Sequence, residues 1–153
     1  MTVVYQLLLY LHIMAGIIWV GGAIYVQVLA LLVSRSGNPA ELPVFAHRTE
    51  YIGTRLFIPA GVVLLLSGIV MVLQLWSFGQ AWVAAALVLF ILSAVSGAVY
   101  LGPRAKRAGQ LFEAEGEGSP EARRLTGRLF LIARLELVSF AVIVALMVFK
   151  PGA

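Results

Sequence analysis

His12 is one of two histidines in the chain and lies inside a long apolar stretch. Helical spacing aligns His12, Gly16, Trp19, Ala23 and Gln27 along one stripe, the polar stripe of that stretch. A polar or ionisable side chain within a membrane span faces the bundle interior and is a functional candidate by default. Neutral imidazole ligates haem iron or another transition metal, which is one reading of His12; a hydrogen bond to a neighbouring helix is the other. His47 sits beside Arg48, Glu50, Tyr51 and Arg55, and reads as an interfacial residue in a polar cluster or as a second, separate site. At about 1.5 Å per helical residue, the two histidines differ in depth by roughly 25 Å, too far apart for one haem. Glu50, Arg55, Arg134 and Glu136 fall at similar depth on the second and fourth apolar stretches. Charge there is costly unless paired or snorkelled, so an interhelical ion-pair cluster is expected. It would fix helix registry, or serve as an entry point for a proton or substrate.

Other chemistries are excluded by what the chain lacks. It has no Asp, so no Ser-His-Asp triad or Asp-based magnesium site can form. It has no Cys and two His, too few ligands for a conventional zinc or copper site. Met1, Met14, Met71 and Met147 are scattered, and Gly21-Gly22 lies within an apolar run rather than in a phosphate-binding loop.

The elements that position these residues follow from composition. Of 153 residues, 61% are hydrophobic and 12% charged, against about 45–50% and about 25% in a soluble domain. Most of the surface therefore does not face water. An all-α, integral membrane four-helix bundle in one domain, 1–153, is expected, with helices over about 3–33, 44–76, 82–103 and 121–149. The first stretch lacks a basic leader and is far longer than a signal core, so it reads as a retained helix. Pro59 lies inside the second helix and predicts a kink, while Pro103 opens a long loop whose Gly and Pro residues make it flexible.

Basic residues set the orientation. Arg35, Arg48 and Arg55 belong to the first loop and its continuation, and Arg104, Lys106, Arg107, Arg123, Arg124 and Arg128 to the third. The hairpin between helices two and three has none, and the termini contribute Lys150. Cytoplasmic loops retain Lys and Arg, so both termini are expected outside and both charged loops in the cytoplasm. A bacterial cytoplasmic (inner) membrane is the expected location, with the lipid bilayer as partner. The net charge of +4 is accounted for by this topology and is not a sign of nucleic-acid binding. Small residues at intervals of four, such as Ala94, Ala98 and Gly102, favour close helix packing.

The stretch from Leu11 to Tyr25 carries a His followed seven residues later by Trp, then a small-residue pair, then an aromatic. It resembles the first helix of a group of small bacterial membrane proteins. These include copper-resistance D-type proteins, membrane-embedded protoporphyrinogen oxidases of the HemJ type, and a family of predicted four-helix membrane proteins of unknown function. The overall plan is most similar to that uncharacterised family. The resemblance implies haem b, or another small ligand, at His12 as axial ligand, with Trp19, Gly22 and Tyr25 as its neighbours. The oxidases also carry an arginine and a second histidine where this chain has Val28 and Val33, and a lysine in a third helix that here is uncharged before Arg104. These departures argue against protoporphyrinogen oxidation. A haem-binding redox protein and a small transporter or channel subunit both remain open, the latter requiring a homo-oligomer because four helices enclose a narrow path.

Overall fold

The computed structural model describes residues 2–36, 38, 40–116 and 118–152. With no water to satisfy backbone amides, apolar segments in lipid must close their hydrogen bonds within a helix. Four continuous helices result: α1 (Val3–Ser36), α2 (Glu41–Leu75), α3 (Ala81–Glu115) and α4 (Pro120–Phe149), each long and apolar enough to cross a membrane. Helix α1 packs on α2 and α4, α3 packs on α4, and α2 meets α3 chiefly through their ends.

Of the two internal prolines, Pro103 departs from what sequence spacing predicts. Pro103 does not open a loop; α3 continues through it to Glu115, where Gly116 at φ 77° ends the helix. Before each internal proline the helix widens into a π turn, Gly53–Phe57 ahead of Pro59 and Ser96–Leu101 ahead of Pro103. The Ile58 amide donates to the Gly53 carbonyl, and the Gly102 amide to that of Gly97. A proline ring collides with the carbonyl four residues back, and a wider turn moves that carbonyl aside.

Three layers hold the bundle. At the uncharged end, Trp76 Nε1 donates to the Tyr5 hydroxyl (3.4 Å), Trp82 meets Trp76 edge-on (5.2 Å between ring centroids) and the Lys150 ammonium lies 4.4 Å over Trp76. In the middle, each helix supplies one buried residue: Trp19, Ala60, Phe90 and Phe140. Towards the charged end, Val26, Ala30 and Val33 of α1 pack on Phe45, whose ring stands edge-on to Phe130. Beyond that, α2, α3 and α4 project past α1 into a small helical head centred on Ala108, Phe112 and Ala122. The α4 start in this head is capped by the Ser119 hydroxyl, which accepts from the Ala122 amide. Along α3, Trp82 and Tyr100 are separated by about 27 Å at 1.5 Å per residue, close to the thickness of a hydrocarbon core. Arg104, stacked 3.5 Å over the Tyr100 ring, then stands at the headgroup level.

Candidate functional site

His12 points at α2. Its Nδ1 lies 3.0 Å from Ser67 Oγ, and a Cβ on Gly68 would stand 3.0 Å from its Cε1. Gly68 therefore makes the space the ring fills. The Ser67 hydroxyl donates to its own helix, at the Val63 and Leu64 carbonyls. Its oxygen can then only accept from His12, which assigns the ring proton to Nδ1 and leaves a lone pair on Nε2.

The other residues of the first-helix motif go elsewhere. Trp19 is stacked between Phe90 (4.7 Å) and Phe140 (4.9 Å) as the centre of the middle layer. At Gly22 the backbone lies against Phe57, and a Cβ would come 2.6 Å from that ring. Tyr25 is 54% exposed and belongs to a different face of the bundle. Nε2 of His12 retains the chemistry of a metal ligand, but Trp19, Gly22 and Tyr25 do not border a common space with it. A macrocycle ligated by His12 and flanked by these three does not fit this packing. Among the described residues no group of three or more His, Cys, Asp or Glu side chains converges on a metal position.

Nor are the four charged residues expected to cluster joined by ion pairs. Among the described residues the ion pairs are His47 Nε2 to Glu113 Oε1 (2.8 Å) and Arg107 to Glu121 (2.7 Å), both in the head. Glu136 is half-buried inside the bundle, with Ser96 of α3 as a polar side chain beside it and, among the described residues, no partner for its Oε1. Arg134 is on the exposed face of α4, about 9 Å below the Phe140 layer, from which its side chain can snorkel to the headgroups. His47 and Glu113 are brought together because Gly109 lets α3 approach α2 closely, within van der Waals reach of Ala46 and His47. Glu113 lies in the segment that sequence spacing assigns to a loop. The missed signal is the apolar set Ala105, Ala108 and Phe112, which repeats at helical intervals.

The structure does gather polar groups at one place that sequence marked only in part. An open groove of about 640 Å³ runs between α1 and α2 beside the first π turn. It is lined by Tyr25, His47, Arg48, Glu50, Tyr51, Ile52 and Thr54. Arg48 also borders a second groove of about 320 Å³ with Leu29, Val33, Phe45 and the carboxylate-bearing Glu41, with which it forms no ion pair. Among the described residues neither Arg48 nor Glu50 has an ion-pair partner. The groove thus presents a cation and an anion that form no ion pair, together with two phenol rings. That arrangement suits binding of a polar group better than acid–base chemistry, which would require a titratable group held against a second one.

No curated protein and no solved structure matches the chain. A family model described as predicted integral membrane protein (DUF2269) matches residues 6–151, and the chain belongs to that family, a multi-pass membrane protein family of unknown function.

Proposed function

We propose that this protein is a binding protein of the bacterial cytoplasmic membrane, with both termini outside and its charged helical head in the cytosol. Eight of the eleven basic residues lie at the end of the bundle that carries the head and one, Lys150, at the opposite end, which supports the orientation. The observation that carries the binding reading is the open groove at the same end, lined by both Arg48 and Glu50, neither of which forms an ion pair among the described residues. The chain contains no cysteine, so a single His47→Cys, on the groove lining and about 20 Å from the Trp19–Ala60 layer at 1.5 Å per residue, beyond the hydrocarbon, is a clean probe of both claims. A membrane-impermeant maleimide should label it in inverted vesicles and not in intact spheroplasts; the reverse would refute the orientation. In purified, delipidated protein the labelling should slow when total polar lipid or the small-molecule fraction of a cytosolic extract is added. A rate unchanged by both would refute the binding reading.

A transporter or channel subunit has one observation on its side. Polar groups lie on both sides of the Trp19 layer, His12–Ser67 towards the uncharged end and Glu136 and Gln27 towards the charged end. Trp19, Phe90 and Phe140 close the way between them. Such a path would need those rings to part, or a second copy of the chain to complete it.

A further inference from the structure

The groove beside the first π turn spans a change of solvent. Taking the Trp19–Ala60 layer as the middle of the membrane, Tyr25 and Thr54 lie about 9 Å towards the charged end, Tyr51 about 13 Å, and Arg48 about 18 Å, at 1.5 Å per residue. The hydrocarbon ends at about 15 Å from the middle. The groove's inner part, with Tyr25 and Ile52, is therefore at acyl-chain depth and its outer part, with Arg48 and Glu50, at headgroup depth. Tyr25 and Tyr51 are 54% and 68% exposed, so the groove opens sideways to lipid rather than only to water.

We propose that the groove is a site for an aminophospholipid, whose phosphate is held by Arg48 and whose primary ammonium is held by Glu50. The proposal goes beyond the orientation argued above and names the ligand class of the same groove. A purely anionic headgroup would satisfy Arg48 and be repelled by Glu50. A zwitterion with phosphate and ammonium on one short linker satisfies both, and each contact is a charge-assisted hydrogen bond. A trimethylated headgroup keeps the two charges but has no N–H to donate to the carboxylate. The ring of Tyr51 offers a face to the ammonium, and that of Tyr25 a flat wall to the first methylenes of the chains. His47 does not compete for the phosphate, because its Nε2 is engaged by Glu113. The π turn contributes by making the helix wider at Gly53–Phe57, next to where the groove opens.

The test is lipid competition on the whole protein. Delipidated protein in mixed micelles is offered phosphatidylethanolamine, phosphatidylcholine and phosphatidylglycerol in turn, and bound lipid is counted by native mass spectrometry. Wild type should retain phosphatidylethanolamine over each of the others by roughly three- to tenfold, the range for a charge-assisted contact at a half-exposed site. Glu50→Gln should lose the preference over phosphatidylglycerol and keep phosphate binding; Glu50→Asp should restore part of it. Arg48→Gln should lose all three lipids alike, while Lys106→Gln should behave as wild type. Each variant is first required to elute as a single folded species with unchanged helicity. Equal retention of the three lipids by wild type would overturn the proposal. So would competition by O-phosphoethanolamine or inorganic phosphate at concentrations equal to the lipid, since the ligand would then be soluble. Because micelles have no sides, failure here leaves the orientation standing, and a reversed orientation leaves this result standing.

Discussion

Replacing Trp19 by Ala removes the ring that packs on the middle residues of α3 and α4. The indole is 8% exposed, stacked at 4.7 Å on Phe90 and 4.9 Å on Phe140, and packed on Ala60. In a water-soluble core such a change costs about 3–5 kcal/mol, part of it transfer of the ring out of water. In a bilayer that part is small, because lipid chains are as apolar as the interior. What remains is the two ring pairs, about 0.5–1.5 kcal/mol each, together with dispersion lost around the vacated space. The sum is about 2–4 kcal/mol, a 30- to 700-fold rise in the unfolding constant at about 1.4 kcal/mol per factor of ten. Reversible unfolding by dodecyl sulfate in mixed micelles, followed by far-ultraviolet circular dichroism, measures it directly. Trp19→Phe should recover more than half of the loss. A Trp19→Ala cost below about 1 kcal/mol would show that ring packing does not hold the helices together, and that small-residue contacts carry the bundle. A cycle with Phe140→Ala should give a coupling energy of about 0.5–1.5 kcal/mol; additive single effects would refute the stacking itself.

The packing makes further commitments. Gly68→Val should displace the His12 ring and break its bond to Ser67, costing about 1–3 kcal/mol in the same unfolding assay; a neutral result would mean the ring lies elsewhere. Glu136→Gln should leave stability unchanged or raise it by up to about 1 kcal/mol, because it removes a carboxylate that lacks a countercharge while keeping an acceptor for Ser96; a loss above that size would reveal a partner for the charge. Ser119→Ala should cost about 1 kcal/mol by uncapping α4, and limited proteolysis between α3 and α4 should accelerate. Protein purified from haem-replete cells should show no Soret band that disappears in His12→Ala; one that does would require the helices to repack around His12.

What the sequence displays of this fold is what the bilayer enforces. Four runs of apolar residues can only be helices in lipid, and their number and centres are legible for that reason. The ends are a different matter, because in water the choice between helix and loop returns to local signals. Pro103 is the clearest instance: on the sequence it stops a helix, yet the π turn Ser96–Leu101 moves the conflicting carbonyl aside and α3 runs on to Glu115. That outcome is stabilised by Ala108 and Phe112, which bury themselves against Ala122 across the turn to α4 and Leu42 of α2, a partner far away in sequence. Pairing of His47 with Glu113 depends on the same long-range packing, so neither residue announces it.

The motif of the first helix shows the same limit from the other direction. His12, Gly16 and Trp19 do share an inward stripe, as the spacing requires, but a stripe says only which way side chains leave one helix. What they meet depends on the helices opposite. Ser67 and Gly68 take up the imidazole, Phe90 and Phe140 take up the indole, and Phe57 occupies the space left by Gly22. Each of those partners is an ordinary residue of a transmembrane helix, and none would be singled out by type. Tyr25, one turn beyond Gly22, has rotated out of the stripe and joins Arg48 and Glu50 instead. The groove was hidden in the sequence because its cation and anion lie two residues apart in a segment crowded with charge, where pairing is the default expectation. It emerges once the helical head pairs Glu113 with His47 and Glu121 with Arg107, while among the described residues Arg48 and Glu50 form no ion pair.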